Sequence, residues 1–468
     1  MTTNDMDMTQ LAALGPLDGR YRNDVAALAS FFSEAALFRY RVRVEVEYLI
    51  FLSRARGIHF VPPLTPPQQA ALRALYRQFS DEDALAIAAW DRRVNHDVKA
   101  VEYWLRERLT ALGLTGHLEA VHFALTSEDV NNLAYSLMVK EARELVLLPA
   151  LEALRERIRQ LADEEAATPM LARTHGQPAT PTTFGKEMNV FYMRLRRAIN
   201  DVMSIRITGK LNGASGVFAA HYAALPQIDW LKFSRAFVRS LDLEPILLTT
   251  QIEPHDTIAA LCDALKRVGA ILTDLSQDCW RYISDGYLVQ AARAGEVGSS
   301  TMPHKVNPID FENAEGNLAL ASALLELFSR KLPVSRLQRD LSDSTVLRNL
   351  GLAFGYCLLA YQRLLRGLQN IAVDRDRLRR DLDSHPEVLA EAIQTILRRE
   401  GFAEPYELLK EFSRGRTLTA DELKRFIASL PVSDAVRAEL QALTPATYIG
   451  LAVKLAQLRD EATVGNWI

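Results

Sequence analysis

Apolar residues recur at steps of three and four along most of this chain. From Phe184 they fall at Met188, Phe191, Leu195, Ile199 and Val202; a second series runs through Ile258, Leu261, Leu265, Val268, Leu272, Leu275, Cys279 and Ile283. That spacing marks one face of a helix with 3.6 residues per turn. A third series, through Leu133, Leu137, Ala142, Leu145, Leu148 and Leu154, predicts a helix over about residues 128–167. Pro149 should bend it, because proline has no N–H to give the preceding turn. These stretches far exceed the usual helix of about 11–12 residues. Alternating patterns are scarce, and only residues 211–218 suggest short strands. Long helices must bury their apolar stripes against one another, so the expected fold is all-α, built on a long-helix bundle. Stripes that cover much of a helix call for neighbours on several sides, which predicts a bundle shared between subunits. Soft breaks at residues 112–117 and 370–374 suggest three domains: an N-terminal helical domain (1–115), a central bundle (116–371) and a C-terminal helical domain (372–468).

Composition narrows the class. The 468 residues are 49% hydrophobic and 24% charged, with 55 basic against 58 acidic side chains and a net charge of −3. Neither a basic excess nor a basic block is present to attract nucleic acid or a membrane surface. Cys262, Cys279 and Cys357 are the only cysteines. The first two lie about 25 Å apart on one predicted helix, beyond disulfide reach. Residues 1–10 are polar, without the apolar core of a signal peptide, and no apolar run reaches membrane-spanning length. A cytoplasmic protein is expected.

The chemistry should sit in the polar segments between helices. The string Ser299-Ser-Thr-Met-Pro-His-Lys-Val-Asn-Pro308 follows Gly295 and Gly298, whose freedom suits residues 295–302 to a lid. Asn307 and Pro308 read as the cap and first residue of the next helix, and a helix N-terminus beside Lys305 would attract anions. Thr126, Ser127, Glu128 and Asp129 read as a helix start, with a hydroxyl cap and acids in the first turn. His175 lies in a short Gly/Pro-bounded turn before a helix expected near Pro181; Arg173, Thr174 and Gln177 could orient its ring or bind a carboxylate. His96 and Asp97 are adjacent, so on a helix they would point about 100° apart. The histidines show no His-Glu-x-x-His or other compact ligand spacing, which argues against a metal centre. No phosphate-loop or Gly-x-Gly-x-x-Gly pattern supports ATP hydrolysis or a dinucleotide cofactor.

The Ser299–Pro308 string resembles the signature loop of the fumarase/aspartase superfamily, whose members break C–N or C–O bonds by β-elimination. Val306 stands where many adenylosuccinate lyases carry arginine, so the loop alone also fits fumarase, aspartase or argininosuccinate lyase. Other motifs choose the branch: Gly19-Arg-Tyr21, Asn95-His-Asp-Val-Lys99, Thr126-Ser-Glu-Asp129, Arg173-Thr-His-Gly-Gln-Pro-Ala179, Thr250-Gln-Ile-Glu-Pro-His-Asp256 and Arg339-Asp-Leu-Ser-Asp-Ser344. In this order, over nearly the whole length, they resemble the bacterial long form of the adenylosuccinate lyase family.

The resemblance implies a cofactor-free, metal-free carbon–nitrogen lyase of purine biosynthesis. It would release fumarate from adenylosuccinate, giving AMP, and from succinylaminoimidazole carboxamide ribotide, giving AICAR. It further implies a homotetramer with active sites shared between subunits. By the same resemblance Ser299, rather than Ser300, takes the β-proton and His175 protonates the departing nitrogen. Lys305 and Asn307 bind the carboxylate on which charge grows. Thr126 and Ser127 hold an anionic part of the substrate, and Thr174, Gln251, Asn95, His96 and Asp97 line it. Arg20, Tyr21, Arg339, Ser344 and Arg348 hold phosphate and ribose, a use that suits the planar arginine fork. Glu312 could orient His175 or His96. A helical scaffold that has lost catalysis is the contrasting possibility, and intact His175, Ser299, Lys305 and Asn307 argue against it.

Overall fold

The computed structural model describes residues 7–291, 302, 305–413, 418–463 and 465. Helices dominate it. The longest are Asp256–Ser284, Ile309–Lys331, Phe184–Ser204, Glu34–Arg54 and Leu350–Gln369. The first and third contain the series read from the sequence; Leu265, Val268, Leu272, Leu275 and Cys279 are fully buried. Phe184–Ser204 starts three residues later than expected, because Thr182–Thr183 pairs as a short strand with Pro169–Met170 before the helix begins.

The third predicted helix is broken where proline demands it. Helix Ser127–Ala142 passes through a wide π turn at Arg143–Leu147 into helix Leu148–Glu164. Pro149 has no N–H for the carbonyl of Leu145 and would crowd it; the chain widens by one residue, and the Leu148 N–H reaches back to Arg143 O.

Residues 211–218 do not form strands. The only pairing nearby is the two-residue parallel ladder of Thr208–Gly209 with Glu244–Pro245. Gly213 and Gly216 take φ of +83° and +77°, outside extended geometry. The backbone N–H groups of Asn212 and Gly213 donate to the Asp129 carboxylate, at 3.0 and 3.1 Å, instead of to a ladder.

The chain forms two compact units. One comprises Met1–Leu151, Ala198–Ala270 and Gly316–Tyr361; the other comprises Glu152–Arg197, Ile271–Glu315 and Gln362–Ile468. In the first unit, helix Glu34–Arg54 packs on Ser127–Ala142 and buries Tyr40, Val42, Val44, Val46, Tyr48 and Leu49. Being buried nearly all round, it also encloses charge, and Arg41 and Glu45 are almost inaccessible. The second unit contains the short C-terminal helices, which have their own core of Leu389, Ile393, Leu397, Leu423, Ile427 and Leu440. Among the described residues no helix is long and apolar enough to cross a membrane.

Candidate active site

A cavity of about 820 Å³ opens in the first unit, and seven of the residues singled out from sequence line it: Asn95, His96, Asp97, Ser127, Arg339, Ser344 and Arg348. Asn95 ends helix Asp81–Val94 in the left-handed region (φ +51°), which asparagine tolerates better than most residues. His96 is extended and caps the next helix, its Nδ1 accepting the Lys99 N–H at 3.1 Å. That bond uses the Nδ1 lone pair, so the ring proton sits on Nε2 and is available as a donor. His96 therefore stands just outside the helix that Asp97 begins.

Asp97 is tied down. Its Oδ2 accepts from Arg41 at 2.7 Å and from Arg348 at 2.8 Å, and its Oδ1 from the Val98 N–H. Burial opposes ionisation, but Arg41, the Val98 N–H and Arg348 outweigh it and hold the carboxyl below its ordinary range. Arg348 also donates to Glu34 at 2.6 Å, so its guanidinium already serves two carboxylates. Arg339 hydrogen-bonds to neutral side chains instead. Its Nη1 donates to Gln251 Oε1 at 3.1 Å and its Nη2 to Ser344 Oγ at 3.3 Å, which brings the expected Gln251, Arg339 and Ser344 together.

Thr126 precedes helix Ser127–Ala142, and its N–H donates to Asp129 Oδ2 at 2.9 Å. Asp129 is fully buried with Lys210, 2.9 Å from Nζ. This pair, reinforced by the Asn212 and Gly213 N–H groups, fixes the turn that presents Ser127. Arg20 and Tyr21 lie in the same unit, Arg20 exposed and stacked over its neighbour's ring, but they do not line this cavity.

Sequence reasoning passed over several participants. Arg41, Asn131 and Tyr135 also line the cavity. Beside Arg339 lies a buried charge cluster, Glu128, His255 and Asp343, whose oxygen and nitrogen atoms fall within 4.8 Å of one another. The last three stand inside motifs quoted above, so the signal was present as neighbours of the chosen residues. Burial pushes the Glu128 carboxyl up to about 7, against the pull of Arg339, whose Nη2 lies 3.5 Å away. Desolvation works against a charged His255, yet Asp343 and Glu253 overcome it and push the imidazole up to about 9.

The other residues belong to the second unit. His175 and Gly176 form the two-residue tip of a hairpin in which Thr174 pairs with Gln177 and Arg173 with Pro178. Both tip residues have positive φ, +53° and +75°, as the tight turns of right-twisted hairpins require. The tip is exposed, and among the described residues no hydrogen bond or ion pair engages the His175 ring. Arg173 does not turn to it; its Nη2 donates to Asp381 at 2.8 Å, and Tyr287 donates to the same carboxylate. Lys305 is exposed, while Asn307 and Pro308 are half-buried. The helix starts at Ile309, one residue later than expected, with Pro308 O accepting from the N–H groups of Phe311 and Glu312. Glu312 accepts the Trp280 indole N–H at 3.1 Å, so within the chain it braces a tryptophan rather than His175. Ser299 and Ser300 lie outside the described residues.

Residues 19–321 match the family described as Lyase, and residues 335–449 match the adenylosuccinate lyase C-terminal family. The chain is 50% identical to the adenylosuccinate lyase of Escherichia coli K12, over 96% of this chain and 99% of that one. The chain belongs to the adenylosuccinate lyase family. It is also 48% identical to the Haemophilus influenzae member (97% and 99% covered) and 47% identical to that of Dictyostelium discoideum (96% and 99%). Its fold resembles a fumarate lyase from Mesorhizobium sp. BNC1, with a TM-score of 0.74 and 19% identity over 92% of this chain and 96% of that one. It resembles as well the 3-carboxy-cis,cis-muconate lactonizing enzyme of Pseudomonas putida, with a TM-score of 0.72 and 22% identity over 92% and 95%. At those identities the likeness concerns the fold, which is the all-α architecture of this superfamily.

Proposed function

We infer that the protein is a carbon–nitrogen lyase that eliminates fumarate from adenylosuccinate, giving AMP, and from succinylaminoimidazole carboxamide ribotide, giving AICAR. Near-full-length similarity to adenylosuccinate lyases supports the reaction. The observation that carries the site is the cavity in which Arg339, Ser344, His96 and Ser127 converge.

In this reading Arg339 and Ser344 hold the phosphate and ribose, with Gln251, Arg348, Arg20 and Tyr21 contributing. Asn95, His96, Asp97, Thr126, Ser127 and Thr174 surround the succinyl-purine portion. Ser299 removes the β-proton. A serine hydroxyl can do so only as an alkoxide stabilised by nearby donors in a site closed to water. Lys305 and Asn307 hold the carboxylate that takes up the resulting charge. His175 then protonates the nitrogen as the C–N bond breaks. No metal or organic cofactor enters this scheme.

The working form is a cytoplasmic homotetramer in which neighbouring chains complete each site. The His175 ring, exposed and without a partner among the described residues, supports this, because a general acid at a hairpin tip needs further chain around it to exclude water. The decisive assay offers the purified protein adenylosuccinate, malate, aspartate and argininosuccinate side by side. Fumarate release from adenylosuccinate is the expected result, and preference for any of the others overturns the assignment. Sedimentation analysis should find four chains per particle.

A further inference from the structure

His255 has no part in the elimination as proposed, yet it sits directly behind the nucleotide end of the cavity. It is 1% exposed and held at φ +61°, a region that residues with a Cβ occupy only where their surroundings fix it. Its Nδ1 lies 3.4 Å from Glu253 Oε2 and its Nε2 3.7 Å from Asp343 Oδ2. Glu253 is anchored in turn, accepting the His255 N–H at 2.8 Å and the Thr208 hydroxyl at 2.7 Å. Asp343 Oδ1 accepts the Ser344 N–H at 2.6 Å, and the Ser344 hydroxyl accepts from Arg339. Close charge contacts, not hydrogen bonds, thus join Glu253, His255 and Asp343, and hydrogen bonds continue from Asp343 through Ser344 to Arg339.

The charge of the ring decides whether this chain holds. An imidazolium has a donor for each flanking carboxylate, whereas a neutral ring would turn a lone pair toward one of them in a buried site. A divalent cation in the Glu128, His255 and Asp343 cluster would have to share the space with the Arg339 guanidinium, 3.5 Å from Glu128. Like charges disfavour that arrangement.

We propose that His255 is a positioning residue for the nucleotide end of the substrate: its imidazolium, braced by Glu253, fixes Asp343 so that Ser344 and Arg339 face the cavity as a preformed pair for a phosphate or ribose oxygen. The proposal rests on reading the cavity as the nucleotide site. His255 is too buried to touch substrate, so it acts through its neighbours, Asp343 foremost.

His255→Gln keeps a side-chain donor and removes the charge. It should raise KM for adenylosuccinate and weaken AMP binding by calorimetry, each about tenfold, the scale of one charge-assisted hydrogen bond. The kcat and the affinity for fumarate, which has no phosphate or ribose, should stay close to wild type. Asp343→Asn should reproduce the shift from the other side of the contact. In the full-length wild-type protein, 15N NMR of labelled histidine at neutral pH should show one ring, absent from His255→Gln, with both nitrogens protonated. A neutral ring, an unchanged KM and AMP affinity, or parallel losses of kcat, AMP and fumarate binding would each overturn the proposal. If the wild-type protein neither binds AMP nor releases fumarate, the reading of the cavity fails, and the NMR signal still decides the charge of the ring.

Discussion

The cavity of the first unit and the His175 hairpin of the second solve opposite problems. Around the cavity, polar side chains are already engaged: Asp97 serves two arginines, Arg348 serves two carboxylates, and Arg339 is shared by Gln251 and Ser344. At the hairpin tip, His175 is exposed and its ring is unengaged among the described residues. Recognition of a nucleotide gains from donors held rigidly before the ligand arrives, because little ordering remains to be done on binding. A proton donor must instead keep its nitrogen free until the substrate and the rest of the site surround it. Under the function proposed above, the chain holds its binding surface ready and leaves its acid free.

Substitutions should separate the two regions sharply. His175→Ala and Ser299→Ala are each expected to lower kcat by about a thousandfold or more, the scale of general acid–base catalysis. Thermal unfolding and sedimentation should match wild type, and near-normal turnover would remove the residue from the mechanism. Lys210→Met should do the reverse. It strands the buried Asp129 carboxylate and should cost about 3–5 kcal/mol of stability in denaturant titrations, failing in the fold before the chemistry.

A smaller effect sharpens the electrostatics of the cavity wall. The Glu128 carboxyl rises from its ordinary 4.5 to about 7, so the folded state holds its proton more tightly than the unfolded one. Its contribution to stability is therefore complete below about pH 4.5 and fades as pH climbs through 7, by on the order of 2–3 kcal/mol. Glu128→Gln should flatten that part of the stability–pH curve; an unchanged slope would mean that Arg339 keeps Glu128 ionised. The smallest expected change is Arg339→Lys, which retains charge but loses the two-pronged fork. It should raise KM for adenylosuccinate about tenfold with a modest change in kcat. A KM equal to wild type would show that point charge, not geometry, holds the nucleotide.

Much of this was legible in the residues themselves. The apolar spacing in Asp256–Ser284 and Phe184–Ser204 identifies both helices because burial of one face repeats with the helical turn. The effect of Pro149 is likewise local, since a missing N–H disturbs its own turn whatever lies around it. The string ending at Asn307-Pro308 and the histidine motif resemble the family to which near-full-length similarity assigns the chain. Strand was expected and not formed where backbone groups had a choice of partner: within residues 211–218, Asp129, more than eighty positions earlier, takes the Asn212 and Gly213 N–H groups.

What the sequence could not supply is which charges meet. Glu128, His255 and Asp343 are far apart along the chain, and nothing in their local context marks them as one cluster. Nor could it tell that Arg348 is bound to Glu34 and Asp97 while Arg339 faces Ser344. Periodicity and proline act through neighbouring peptide units, so they are written in order along the chain. Ion pairs form between whichever groups folding brings within a few ångströms, and only the tertiary structure decides that.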